Sequence, residues 1–268
     1  MEVQFFKPQN EILKKYIEGY YFISEKDSLK SNKYWTFPSN NSVVTVCQNA
    51  TVISENNKIS VLPSDSKKID SNFYYNISFP VEIFYEKPVN EITMYFKPLG
   101  ILHFSDDILF EIGKDNVWDF QPHPDYLIEM ERILSIENKE NQSSALENYW
   151  LSKFRNKDFE IIEDVLNEIE NGTKISEIAD KLHISRQYFH KMFYKNIGKS
   201  PSDYRKIHRF KGIIEKYKSN EKFIELSNNG SFFDQPHFNK DFKDLTGINP
   251  TLFFKNVDTK LSNLWLFQ

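Results

Sequence analysis

Two short stretches of the chain carry side chains whose types and spacing suit hydrogen bonding to a patterned polyanion. In the first, Arg186, Gln187, His190, Lys191 and Tyr194 recur at a spacing that puts them on one face of a helix. All five can bond to base edges or to phosphates. In the second, Gln235, Asn239, Lys240 and Lys243 repeat the arrangement, with Pro236 among them. The two amides suit adenine, and the lysines suit guanine or phosphate. Opposite each polar face stands a Phe pair at i and i+4, Phe189 with Phe193 and Phe238 with Phe242. Those rings could in principle stack on bases, but their position opposite the basic residues assigns them to a core that holds the polar face in place.

The elements that must position these faces form an internal repeat. Phe189, Phe193, Gly198, Pro201 and Tyr204 match Phe238, Phe242, Gly247, Pro250 and Phe253, each pair offset by 49 positions. In each copy the Gly ends one helix and Ser-Pro or Asn-Pro begins the next. A short helix precedes each unit: Lys174 to Leu182, with Ile175, Ile178, Ala179 and Leu182 inward, and Glu221 to Asn228. Ser185 and Asp234 are placed to cap the helices that follow. Helix, tight turn, helix is the form of a helix-turn-helix, here present twice. Between the copies, apolar residues from Tyr204 to Tyr217 predict one continuous helix over Pro201 to Lys218, with Ser219-Asn220 as its stop. At about 1.5 Å per residue that rod is roughly 27 Å long and sets the separation of the two polar faces.

Charge follows the same division. Residues 1 to 172 hold 17 Lys plus Arg against 28 Asp plus Glu, whereas residues 173 to 243 hold 15 against 8. A basic unit on an acidic partner points to nucleic acid, with a solvated lysine-rich surface as the plainer alternative. Lys206, in the densest part, is expected to anchor on phosphate.

The remaining chain reads differently. After a short helix around Glu11 to Gly19, the segments Ser42 to Cys47, Lys58 to Leu62, Tyr74 to Phe79, Val81 to Tyr85 and Glu91 to Phe96 have the composition and punctuation of strands. From Asp125 the pattern turns helical, the polar run Glu137 to Ser144 reads as a loop, and Ala145 to Phe154 and Asp158 to Asn171 read as helices. Tyr20, Tyr21 and Trp35 are candidates for lining a pocket or an interface, with core packing as their alternative.

The total of 268 residues, 40% of them hydrophobic, suits two folded domains. With Cys47 the single cysteine, no intrachain disulfide, cysteine-based zinc site or iron–sulfur cluster can form, and a reducing cytoplasm is expected. No stretch has the length of a membrane span and no secretory leader is evident. Gly-x-Gly-x-x-Gly, Walker, Gly-x-Ser-x-Gly and His-Glu-x-x-His motifs are absent. His103 and His123 lack ligand spacing, and the acid pairs Asp106-Asp107 and Glu163-Asp164 are expected to be solvated, so neither metal, cofactor nor enzyme activity is expected. His183 and His208 are assigned structural or surface roles.

At the repeat, the chain resembles AraC-family transcriptional regulators. The resemblance spans about Phe159 to Lys255. Its first unit reads Ile175-Ser-Glu-Ile-Ala179-Asp-Lys-Leu-His-Ile-Ser185-Arg-Gln-Tyr-Phe189-His-Lys-Met-Phe193, with Lys191 where Arg is usual. Its second reads Phe232-Phe-Asp234-Gln235-Pro-His237-Phe238-Asn-Lys-Asp-Phe242-Lys243, then Gly247-Ile-Asn-Pro250, and departs at Ser227, Ser231, Pro236 and Phe254. Tyr20-Tyr-Phe22, Phe37-Pro38 and Tyr95-Phe-Lys-Pro98-Leu-Gly100 resemble the β-rich domains found ahead of this unit. The resemblance implies a multidomain chain. Residues 1–120 are a mainly β, cupin-like sandwich or barrel that binds a small effector or forms a homodimer. Residues 121–155 are a helical connector, and residues 156–268 an all-α double helix-turn-helix domain on double-stranded DNA. It implies a bacterial transcription regulator that is not an enzyme, with base specificity concentrated in the first unit. The alternatives are a regulator acting through protein contacts, its DNA binding weakened or lost, and an enzyme in the N-terminal half.

Overall fold

The computed structural model describes residues 4–26, 33–66, 68–106, 110, 117–218, 235–257 and 265–267, of which 218, 235–238 and 265–267 are given as backbone only. The N-terminal half contains β1 (Phe5–Phe6), α1 (Glu11–Tyr16), β2 (Ile17–Ile23), β3 (Lys33–Thr36), β4 (Ser42–Gln48), β5 (Ala50–Glu55), β6 (Lys58–Pro63), β7 (Ile69–Tyr74), β8 (Val81–Tyr85), β9 (Asn90–Phe96) and β10 (Val117–Asp119). Helices follow: α2 (Tyr126–Leu134), α3 (Lys139–Lys153), α4 (Glu160–Glu170), α5 (Ile175–Lys181), α6 (Arg186–Ile197), α7 (Pro201–Lys218), α8 (Gln235–Thr246) and α9 (Pro250–Asn256). A last strand, β11 (Trp265–Phe267), comes near the end of the chain.

Two sheets make the β half a sandwich. One runs β1-β2-β9-β4-β7-β10, and the other β11-β3-β8-β6-β5. Only the β6–β8 pairing is parallel among the described strands. Period-two alternation explains how the first sheet packs on both faces. Val44 and Val46 of β4, with Ile92, Met94 and Phe96 of β9, enter the core shared with α1, α2 and α3, around the fully buried Trp150. The intervening residues Cys47 and Tyr95, with Tyr21 of β2, turn toward the second sheet, where they meet Tyr34, Val61, Ile83 and Tyr85. Tyr20 and Tyr21 are both buried, on opposite faces of β2, so neither forms an exposed interface.

Three local expectations are corrected. The polar run Glu137 to Ser144 is not a loop, because α3 begins at Lys139: the Asn138 side chain accepts from the Asn141 amide at 2.9 Å, and Gln142 donates to the Ile133 carbonyl at the end of α2 at 3.0 Å. The first helix stops at Tyr16 rather than near Gly19, since β2 takes over at Ile17 and pairs with β9. The strand expected from Tyr74 instead ends there, as β7. The helix predicted over Glu221 to Asn228, the cap Asp234 of the helix that follows it and the stop at Ser219-Asn220 lie outside the described residues. Among those described, no helix is long and apolar enough to cross a membrane.

The two halves meet along a seam that holds a buried amine. Lys199 follows the end of α6, is 1% exposed, and its Nζ has no hydrogen-bond partner among the described residues. Burial pulls its pKa from the ordinary 10.5 down to about 7, opposed by the nearby Asp203. At this amine the native protein therefore holds less proton than the unfolded chain between those two values, and its contribution to stability rises with pH across that window. Lys199→Met keeps the apolar stem and removes the amine. It is expected to raise Tm near pH 7 and to flatten the rise between about pH 7 and pH 10, measured by thermal unfolding of both proteins across that range.

Candidate nucleic-acid interface

The first helix-turn-helix is built from α5 and α6. Ala179 is fully buried, which lets the two helices approach closely, and the chain turns between them at His183, whose φ is +53°. The Ile184 amide donates to the Ala179 carbonyl at 3.1 Å, and the Ser185 side chain caps α6 by accepting from the Tyr188 amide at 3.2 Å. Phe189 and Phe193 are fully buried, with Phe193 edge-on to Tyr204 of α7 at 5.7 Å between ring centroids. These rings are core, as their spacing implies.

With that face fixed inward, α6 presents Arg186, Gln187 and Lys191 to solvent and leaves His190 half-buried. Tyr188, 60% exposed, and Lys195 widen the same arc. Neither was singled out in the sequence, although their positions beside Lys191 on the helical wheel were available there. Tyr194 departs from expectation. It is 7% exposed, stacks on His190 at 6.4 Å, and its hydroxyl accepts from Asn76 of the β sandwich at 3.5 Å. Burial raises the pKa of its phenol. Next along the chain, Gly198 sits at φ +73°, where a Cβ would stand 2.5 Å from the Tyr75 ring and 2.9 Å from Phe110. The C-terminal end of α6 is thus occupied by the other half of the molecule, and its N-terminal half remains open.

The second unit shows the same design in α8 and α9. Phe242 is 2% exposed and packs edge-on to Phe210 at 5.3 Å and to Phe253 at 5.1 Å, while Asn239, Lys240 and Lys243 face solvent. Gln235 lies in the first turn of α8, and its side chain is outside the described residues. Asn249 caps α9 by accepting from the Leu252 amide at 2.9 Å. Helix α7 spans Pro201–Lys218 as predicted and joins the units. Its start is a reciprocal cap, in which Ser200 accepts from the Asp203 amide at 3.0 Å and donates to its carboxylate at 2.6 Å. Lys206 of α7 does not project as a phosphate anchor: it pairs with Asp241 at 3.3 Å and Asp244 at 3.0 Å, tying α7 to α8. His208 lies 3.6 Å from Glu170, on the face of α7 that packs against α4.

With α5, the capped helix α6 forms a helix-turn-helix held by Phe189 and Phe193, and α7 joins it to α8, whose Phe242 is buried in the same way; the helix expected ahead of α8, and Phe238, lie outside the described side chains. Residues 178–256 match the family model described as "Helix-turn-helix domain", and this segment is a helix-turn-helix domain of the AraC type. The Msm operon regulatory protein of Streptococcus mutans is similar, at 32% identity over 90 residues, which are 32% of this chain and 32% of that protein. The chain thus spans about a third of the length of that curated relative. Among solved structures, ToxT from Vibrio cholerae, in a structure at 1.65 Å resolution, is 14% identical with a TM-score of 0.45, covering 88% of this chain and 96% of its own. A structure of ToxT from V. cholerae strain SCE256 with bound unsaturated fatty acid is 10% identical with a TM-score of 0.42, covering 87% and 92%.

The ion pairs of α7 generate a prediction about stability. Lys206→Ala removes both contacts to α8 and is expected to lower stability by about 1 kcal/mol, which thermal unfolding reads as a fall of a few degrees. Lys191→Ala, on the open arc, is expected to leave Tm unchanged.

Proposed function

We propose that the chain is a DNA-binding transcription regulator in which α6 reads base edges in the major groove. The observation that carries this is the exposed arc Arg186, Gln187 and Lys191 near the N-terminus of a helix whose opposite face is locked by Phe189 and Phe193. Recognition helices of this type contact bases mainly from their N-terminal residues. His190 is placed at the edge of that arc. Tyr194 is assigned instead to the seam with the β sandwich. In α8, Asn239, Lys240 and Lys243, with Gln235 in its first turn, contribute contacts to phosphates of a neighbouring groove.

The working units are taken as residues 1–120 for regulation, 121–155 as connector and 156–268 for DNA. The function is binding rather than catalysis. A small effector fits the space between the two sheets of the N-terminal half, where Tyr21, Tyr34, Tyr85 and Glu91 line a cavity of about 80 Å³. By its lining this cavity continues toward α7: Thr36, Phe37 and Tyr95 also border a second cavity of about 300 Å³ beside Ile207 and Phe210. Phe37 is the hinge point, since its ring packs edge-on to Phe253 of the second unit at 4.9 Å. An occupant of the inter-sheet space would reach the DNA-binding half in part through this ring, beside the partly buried Trp35 of the same cluster.

Selection of duplexes bound by the full chain from a random pool tests the DNA reading. A recurring sequence is expected, with affinity falling steeply as salt rises because Lys and Arg displace counterions. Lys191→Ala should relax preference at one or two base pairs, at roughly 1–3 kcal/mol for a good contact, while Tyr194→Phe leaves affinity and preference unchanged. A pool that returns no common sequence, with binding insensitive to salt, would refute base reading by α6.

A further inference from the structure

The space between the sheets contains one ionisable group that the DNA-binding role does not use. Glu91 of β9 is 2% exposed and lies among hydroxyl and thiol donors. Thr93 donates to its carboxylate at 2.6 Å, Tyr85 at 2.7 Å, Tyr21 at 3.3 Å and Cys47 at 3.6 Å. Burial raises the pKa of Glu91, and these four donors work against that rise by stabilising the ionised form. All four contacts run into its two oxygens as acceptors, the arrangement that suits the ionised form of the group. Among the described residues no Lys, Arg or His lines the cavity, and Glu91 is in no ion pair. A buried carboxylate held in this way creates a negative potential inside a low-dielectric wall.

The rest of the wall is aromatic. Tyr21 and Tyr95 come from the first sheet, with ring centroids 6.3 Å apart, and Tyr34 and Tyr85 from the second, at 6.4 Å and 17° between planes. Aromatic faces attract cations through their quadrupole, most strongly where water is excluded. An anionic ligand would meet Glu91 as a like charge, and a neutral one would leave the carboxylate uncompensated. A cavity of about 80 Å³ admits several water-sized groups, the scale of a substituted ammonium head, and it opens toward the interdomain space where the remainder of a ligand could extend.

Building on the reading of this space as the effector site, we propose that its ligand is a small organic cation of the alkylammonium class, with Glu91 as counter-ion and the four tyrosines as the cage. Closure of Tyr34 and Tyr85 over the charge would be felt at Thr36, the last residue of β3, and at Phe37 directly beyond it, and so at the core of the second DNA-binding unit.

The test uses the full chain and three probes of similar shape: choline, its neutral carbon isostere 3,3-dimethylbutan-1-ol, and butyrate, each measured by calorimetric titration and by thermal shift. Trimethylammonium is added as a smaller cation. At least one cation is expected to bind and raise Tm, at least tenfold more tightly than the neutral isostere, with no response to butyrate. Glu91→Gln keeps the shape and should weaken cation binding at least tenfold. Tyr34→Leu leaves the carboxylate in place and should weaken it several-fold, which guards against a Glu91 variant that fails to fold. Equal or tighter binding of the isostere or of butyrate, or undiminished cation binding in both variants, would overturn the cation assignment while leaving the effector site standing. Silence from every probe would remove both.

Discussion

Everything in the N-terminal half depends on the first sheet being covered on both faces. Strand β9 shows the constraint in seven residues: Ile92, Met94 and Phe96 belong to the helix-covered core, while Glu91, Thr93 and Tyr95 look into the space between the sheets. A strand buried on one side can leave its polar residues to water. This one cannot, so each polar group on its inner face must find a partner inside the protein. The carboxylate of Glu91 finds four, and the sandwich is thereby obliged to keep its tyrosine hydroxyls pointed inward. The cavity is what remains when a ring of large amphipathic side chains is held open by its own hydrogen bonds.

The same dependence explains what was legible beforehand. Helix α7 was visible because its Ser-Pro start and its apolar spacing agree with one another. The core rings Phe189, Phe193 and Phe242 were visible because a core face at i, i+4 leaves the same mark wherever a helix packs. Helix α3 was not, since Lys139 to Ser144 owes its helical form to the Asn138 cap and the Gln142 bond to α2 rather than to apolar periodicity. Glu91 was hidden for a different reason: alternation of Glu, Thr and Tyr along a strand looks the same whether that face meets water or a closed cavity. Tyr194 was misjudged because helical spacing specifies a face, and only the docking of Asn76, Tyr75 and Phe110 decides how much of that face stays open.

Charge separation along the sequence takes on physical meaning at this seam. Among the described residues, the acidic half meets the basic one through the Lys157–Asp106 ion pair at 2.7 Å and through apolar and hydrogen-bonded contacts such as the Phe37 ring and the Asn40 amide, which donates to the Tyr204 carbonyl at 3.1 Å. The basic arc of α6 is therefore not neutralised by its neighbour. An acidic partner close to the reading surface repels phosphate from everywhere except that arc, which favours one approach of a polyanion over others.

Strand β11 gives the molecule a kinematic property. The chain leaves the sandwich after α3, builds the helical half, and then returns to add Trp265–Phe267 antiparallel to β3, pairing Trp265 with Thr36. A body tethered at one point swings freely about it, but one tethered at two can only turn about the line through both. The helical half is thus an inserted loop whose ends are both fastened to the sandwich, and Phe37 stands one residue from the second fastening. Small displacements there are converted into rotation of the helices rather than into their separation, so that reorientation does not require the chain to surrender the local concentration that keeps the two halves together.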